Sequence, residues 1–207
     1  LLGAPSGNAV DVLQVANVDL SATASVAGNV SLSATQSVQF GGELSIHGDL
    51  TAQTSLPSGQ IANDTAGSLE VTGHTDLNAH TIDLGNQAGD HLSLASLTLT
   101  SDGAVDISED GSATDLGTQL SGANTSDSLH LSNDGSITLA SGATLDVDGE
   151  LQLSANGDDA DLHVDGSITS TDGNVDLFAG DQVTLGSAAH IATGGNGALS
   201  IDAHGSG

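Results

Sequence analysis

From Val10 onward the chain repeats one small pattern, two apolar residues separated by a single polar one. The pattern recurs as Val18/Leu20, Val30/Leu32, Val38/Phe40, Leu44/Ile46, Leu69/Val71, Ile82/Leu84, Leu92/Leu94, Leu97/Leu99 and Val105/Ile107. It resumes as Leu129/Leu131, Ile137/Leu139, Leu145/Val147, Leu151/Leu153, Leu162/Val164, Val175/Leu177, Val183/Leu185 and Leu199/Ile201. A period of two puts both apolar members on one side of a strand. The runs are too short and too often broken by glycine for helices, so essentially no helix is expected. Gly, Asn, Asp and Ser fill the intervals and turn the chain, giving strands of about four or five residues roughly every eight. Pro5 and Pro57 fall in expected loops.

The strands group into a longer repeat. Gly28-Asn29-Val30-Ser31-Leu32-Ser33-Ala34, followed by Val38 and Phe40, aligns with Gly173-Asn174-Val175-Asp176-Leu177-Phe178-Ala179, followed by Val183 and Leu185. The tract from Ser136 to Leu145 aligns likewise with that from Gln182 to Ile191. Three short strands and their turns make a unit of about 20 to 25 residues, the length of one β-helix coil. The predicted fold is therefore all-β, a right-handed parallel β-helix (β-solenoid) of about eight or nine coils. It forms a single domain over residues 1–207, with loop insertions near 57–67 and 110–126, where 64–66 and 112–124 fit the register worst. A sandwich or barrel also uses many short strands. A sandwich core about 10 Å thick draws on large side chains, however, and the only aromatic residues besides histidine are Phe40 and Phe178.

Composition narrows function by exclusion. The chain contains no Lys, Arg, Cys, Met, Trp or Tyr and carries a formal charge of −27. Without ammonium or guanidinium groups it has nothing to neutralise phosphates, so nucleic acid is excluded as a partner. Polybasic attachment to anionic lipid, Schiff-base chemistry and arginine clamps are excluded on the same ground. So are disulfides and Lys–Asn crosslinks. No apolar run approaches the roughly 18 residues of a membrane span, so no membrane insertion is expected. High charge and few aromatics suit disorder, but 37% hydrophobic residues in a regular pattern argue for a folded chain. The opening Leu1-Leu2-Gly3 and closing Gly205-Ser206-Gly207 read as the ends of a segment or of a processed product.

The tract Gly-Asn-Val-x-Leu-x-Ala, with a second apolar pair eight residues on, resembles the repeats of filamentous haemagglutinin and related giant bacterial surface proteins. The resemblance is one of pattern and covers most of residues 10–203. It implies a parallel β-helix shaft, export to the extracellular side or cell surface, and adhesion or scaffolding without catalysis. No counterpart of the family's amino-terminal secretion domain stands in this sequence, and no family catalytic residue carries over.

The chemistry available to such a shaft is mostly acidic. Asp19, Asp83, Asp106, Asp146, Asp148, Asp176 and Asp202 alternate with core positions and are expected to point outward. With coils about 4.8 Å apart, some 200 residues make a rod about 40 Å long bearing about one charge per 1.5 Å, close to the one per ~1.7 Å of duplex DNA. Hard carboxylate oxygens suit Ca²⁺, so Ca²⁺ or a saline medium is expected to support stability. Asp158, Asp159 and Asp161 in one turn, and Glu109 and Asp110 in another, are the candidate Ca²⁺ ligands; solvated acidic turns are the plain alternative. Gly194-Gly195-Asn196-Gly197 resembles the start of a calcium-binding nonapeptide repeat, but Leu199 stands where that repeat needs Asp.

The eight histidines show no HxH or HExxH spacing. With 27 acids some pair always has glycosidase spacing, so that signal selects nothing and an enzyme is not expected. Thr98-Leu99-Thr100 and Thr169-Ser170-Thr171 are the only Thr-x-Thr triplets, too few for an ice-binding ladder. Asn29, Asn63 and Asn124 each open an Asn-x-Ser/Thr sequon. The expected function is a structural stalk or fibre segment of a surface adhesin, its ends covered by further repeats or by neighbouring copies stacked end to end. The alternative is a cation-dependent module that binds a glycan or receptor.

Overall fold

A computed structural model describes residues 10–63, 67–109 and 118–205, the side chains of 13 and 14 excepted. These residues form 22 strands, joined in a single hydrogen-bonded sheet that winds as a solenoid, and no helix. The first coil holds β1 (Val10–Leu20) and β2 (Ala24–Val26), and the second β3 (Val30–Phe40) and β4 (Glu43–Ile46). Next come β5 (Leu50–Thr54), β6 (Gln60–Ala62), β7 (Ser68–Asn78), β8 (Thr81–Leu84) and β9 (His91–Thr100), with β7 and β9 each bending from one coil into the next. The fifth coil is completed by β10 (Ala104–Glu109) and β11 (Thr118–Leu120). Three strands then make each coil: β12 (Ala123–Ser126), β13 (Ser128–Asn133) and β14 (Ile137–Leu139), then β15 (Thr144–Val147), β16 (Leu151–Ala155) and β17 (Leu162–Val164). The eighth coil holds β18 (Ser167–Ser170), β19 (Val175–Ala179) and β20 (Val183–Leu185), and β21 (His190–Thr193) and β22 (Leu199–Ala203) begin a ninth.

All registered pairings are parallel, at offsets from 19 residues (Thr118 to Ile137) to 25 (Glu43 to Ser68). Three flanks result. The first runs from residues 10–12 through β5 and the later half of β9 to β12, β15, β18 and β21. The second runs from residues 17–20 through β6, β8, β10, β13, β16 and β19 to β22. The third carries β2, β4 and the first halves of β7 and β9 in the early coils and β11, β14, β17 and β20 in the later ones, β11 joining the ladder at Ser96 and Leu97 in the middle of β9.

Because register is kept from coil to coil, like positions stack. Every predicted apolar pair from Val30/Leu32 to Val175/Leu177 points inward and is buried, making one continuous aliphatic column. Phe40 belongs to it, whereas Phe178 points outward and meets His204 edge to face at 5.1 Å. The corners are stapled by serines. Ser170 Oγ donates to Gly149 O of the previous coil (2.7 Å) and accepts the Gly173 N–H (3.0 Å). Ser101 does the same between His80 O (2.6 Å) and Gly103 N (3.1 Å).

The two expected insertions are smaller than the sequence suggests. Residues 60–62, 118–120 and 123–126 are strands seated in the ladders. The sequence hides the last of these because Asn124 occupies an inward position where its neighbours one coil on, such as Leu145, are aliphatic. The expected misfits at 64–66 and 112–117 lie outside the described residues.

Candidate functional site

The outward positions are a regular polar array. Asp19, Asp83, Asp106, Asp146, Asp148, Asp176 and Asp202 all alternate with inward residues and face solvent fully or in part. Stacking sets Asp83 directly beside Asp106, and Asp106 beside His130. Two carboxylates about 5 Å apart repel by about 1 kcal/mol in water and about 3 at an effective dielectric of 20. The chain offsets this with the donors it has. Asn86 Nδ2 donates to Asp83 Oδ1 at 2.8 Å, and His130 Nδ1 lies 2.9 Å from Asp106 Oδ1. His80–Asp102 (2.8 Å), His163–Asp165 (3.5 Å) and His204–Asp202 (3.3 Å) repeat the arrangement.

Of the described candidate cation ligands, Asp158, Asp159 and Asp161 share one turn and Glu109 stands apart from it. Asp158 and Asp159 are exposed in the turn between β16 and β17, which closes through Ala160 N–H to Gly157 O at 2.9 Å. Asp161 is half-buried; its N–H donates to Ser136 Oγ (3.0 Å) and its carbonyl accepts the Ile137 N–H (2.9 Å). Its Oδ1 is buried without a hydrogen-bond partner. Glu109 lies two coils away and is turned into the core, 3% exposed. Asp110 lies outside the described residues. Among the described residues no three His, Asp or Glu side chains converge where one metal ion would touch them all.

Glu109 instead belongs to a buried polar seam that sequence reasoning missed. Its Oε2 accepts the Leu94 N–H at 2.8 Å, and its Oε1 accepts a short hydrogen bond from Thr118 Oγ1. Thr118 in turn accepts from Asn133 Nδ2 (2.8 Å), whose Oδ1 accepts the Gly135 N–H (2.7 Å). Nearby, Asn124 Oδ1 accepts the Leu99 N–H (2.9 Å), while its Nδ2 donates to Thr144 O (3.0 Å) and Ser121 O (3.1 Å). These side chains stand in for backbone partners where β9 passes between two flanks. A polar residue in an otherwise aliphatic column was the only signal available.

An acidic trough of about 470 Å³ lies on the first flank, where Asp102, Asp127, Asp146 and Asp148 stand with Thr125, Thr169 and Thr171. The sequons differ in access. Asn124 is 1% exposed with its amide committed. Asn63 Nδ2 donates a short hydrogen bond to the buried Asp90, and only Asn29 is exposed, 3.3 Å from Asp49 Oδ2. Thr98 spends its hydroxyl on Ser121 O (2.9 Å). No helix among the described residues is long and apolar enough to cross a membrane. The chain matches no family model, and no curated protein or solved structure is significantly similar to it.

Proposed function

We propose that this chain is a shaft segment of a secreted or cell-surface adhesin or fibre: a stiff, polyanionic, non-catalytic rod that holds other parts at a distance. The observation that carries the reading is the long aliphatic column, with every described carboxylate except Asp90 and Glu109 on the flanks. Stacked coils make length proportional to residue number and resist bending, because each strand between the end coils is hydrogen-bonded to the coil before and after it. The acidic flanks keep such rods soluble and apart. The pattern shared with haemagglutinin-like repeats supports the location and role. Small-angle scattering tests the physical half: the expected particle is a rod with a long axis of about 40 Å, one coil per ~4.8 Å. A rounder particle overturns the shaft.

The acidic, hydroxyl-lined trough favours one second reading, a module that binds a glycan or receptor through a bridging cation. A glycan array probed with and without Ca²⁺ separates the two. Uniform silence supports the shaft, and Ca²⁺-dependent binding lost in Asp146→Asn/Asp148→Asn supports the module.

A further inference from the structure

In a chain without Lys, Arg or Cys, asparagine is the side chain most open to covalent change. The peptide nitrogen of the following residue can attack the asparagine Cγ and close a five-membered ring. The attack is intramolecular, so position takes the place of concentration. Two conditions favour it. A glycine must follow, because it lacks the Cβ that hinders the approach. Its N–H must also be free, because a hydrogen-bonded one has first to be released.

Two Asn-Gly pairs meet the first condition, Asn156-Gly157 between β16 and β17 and Asn196-Gly197 between β21 and β22. Both asparagines are exposed. Backbone hydrogen bonding separates them. Asn196 sits inside a closed turn, whose Gly197 N–H donates to Gly194 O at 3.0 Å. Asn156 precedes its turn, which closes through Gly157 O, and the Gly157 N–H and the Asn156 side-chain amide make no hydrogen bond with any described residue. The same lock as at Gly197 recurs elsewhere. After Asn29, Asn78, Asn86, Asn133 and Asn174 the next N–H is donated to an oxygen at 2.7–3.1 Å.

We propose that Asn156 is a site of self-modification, at which Gly157 N displaces the side-chain nitrogen as ammonia and water then opens the ring to aspartate or isoaspartate. In the first step the bond from Gly157 N to Asn156 Cγ forms and the Cγ–Nδ2 bond breaks, the peptide proton leaving with Nδ2. In the second, water adds to one of the two ring carbonyls. Cleavage of the N–Cγ bond leaves Asp at position 156. Cleavage between Gly157 N and the main-chain carbonyl carbon of residue 156 leaves isoaspartate, with the chain running through Cβ and Cγ. Nothing is oxidised or reduced, and water is the only co-reactant.

Either product adds a carboxylate beside the exposed Asp158 and Asp159. The isoaspartyl product also lengthens the main chain at a tight corner: a Cβ added to Gly157 would strike Asp134 O of the previous coil, and one added to Gly180 would strike Gly157 O. The shaft would therefore gain charge with age at one defined turn.

Mass spectrometry of the folded chain, incubated for days in mildly alkaline and mildly acidic buffer, tests this. Cleavage after Glu150 leaves both Asn-Gly pairs in one peptide, and fragment spectra place the one-dalton gain of amide-to-acid conversion. The gain is expected at Asn156 at least about fivefold faster than at Asn196, the cost of releasing one hydrogen bond. It should be faster in the alkaline buffer, because the attacking nitrogen must lose its proton. In urea the two pairs should react alike, which assigns the difference to the fold. Asn156→Gln, which cannot close the five-membered ring at the same rate, should lose the gain at that position. Equal rates in the folded chain, faster change at Asn196, or change at Asn156 only in urea would each overturn the inference.

Discussion

Gly173 shows how closely successive coils approach. A Cβ on it would lie 2.2 Å from Gly149 C and 2.5 Å from Glu150 N, both backbone atoms of the previous coil. Gly142 differs: its φ is +79° and nothing lies within 4 Å of an added Cβ. Gly142→Ala is therefore expected to cost about 1 kcal/mol of backbone strain, and Gly173→Ala clearly more, since a corner must move; urea unfolding of both variants checks the order. Inside the column the relevant loss is volume. Leu145→Ala at a fully buried position is expected to cost about 2–5 kcal/mol. Asn124→Ala tests the polar seam, because it strands the Leu99 N–H and the Thr144 carbonyl. Each buried group left without a partner costs about 1–3 kcal/mol, so this variant should melt well below the wild type although it removes no aliphatic contact.

Between elements, the balance lies in the ladders of like charge. Asp83 and Asp106 are cross-strand neighbours on β8 and β10, and only one carboxylate need be neutralised to relieve the pair. Asp83→Asn keeps an oxygen for Asn86 to bond and should stabilise the protein by about 1 kcal/mol at low ionic strength. That gain should fade as salt shortens the screening length from about 30 Å at 0.01 M to about 8 Å at 0.15 M. Equal melting shifts at low and high salt would show that the pair is not electrostatically coupled. The histidines serve the same need: in a chain without Lys or Arg, four of them stand beside aspartates at 2.8–3.5 Å.

For the whole molecule, the flank charge predicts that thermal stability rises with ionic strength. Scattered outward carboxylates, with no convergent trio among the described residues, are screened by an ion atmosphere. NaCl and CaCl₂ at equal ionic strength are therefore expected to raise Tm to a similar extent, and EDTA in saline to leave it unchanged. A Ca²⁺-specific rise abolished by Asp158→Asn/Asp159→Asn would instead establish a discrete site in that turn.

The alternation of apolar and polar residues by itself determined the strands, the inward set from Val30 to Leu177, the outward aspartates and the coil of 20 to 25 residues, because side-chain direction in a strand has a strict period of two. Absent residue types settled what the surface lacks. Which polar residues would be buried was not legible: Glu109, Thr118, Asn124 and Asn133 become core residues only because β9 and its neighbours leave backbone groups needing partners there. Nor did the spacing show that Asp158, Asp159 and Asp161 stand two coils from Glu109, since proximity along the axis depends on coil lengths that vary from 19 to 25 residues.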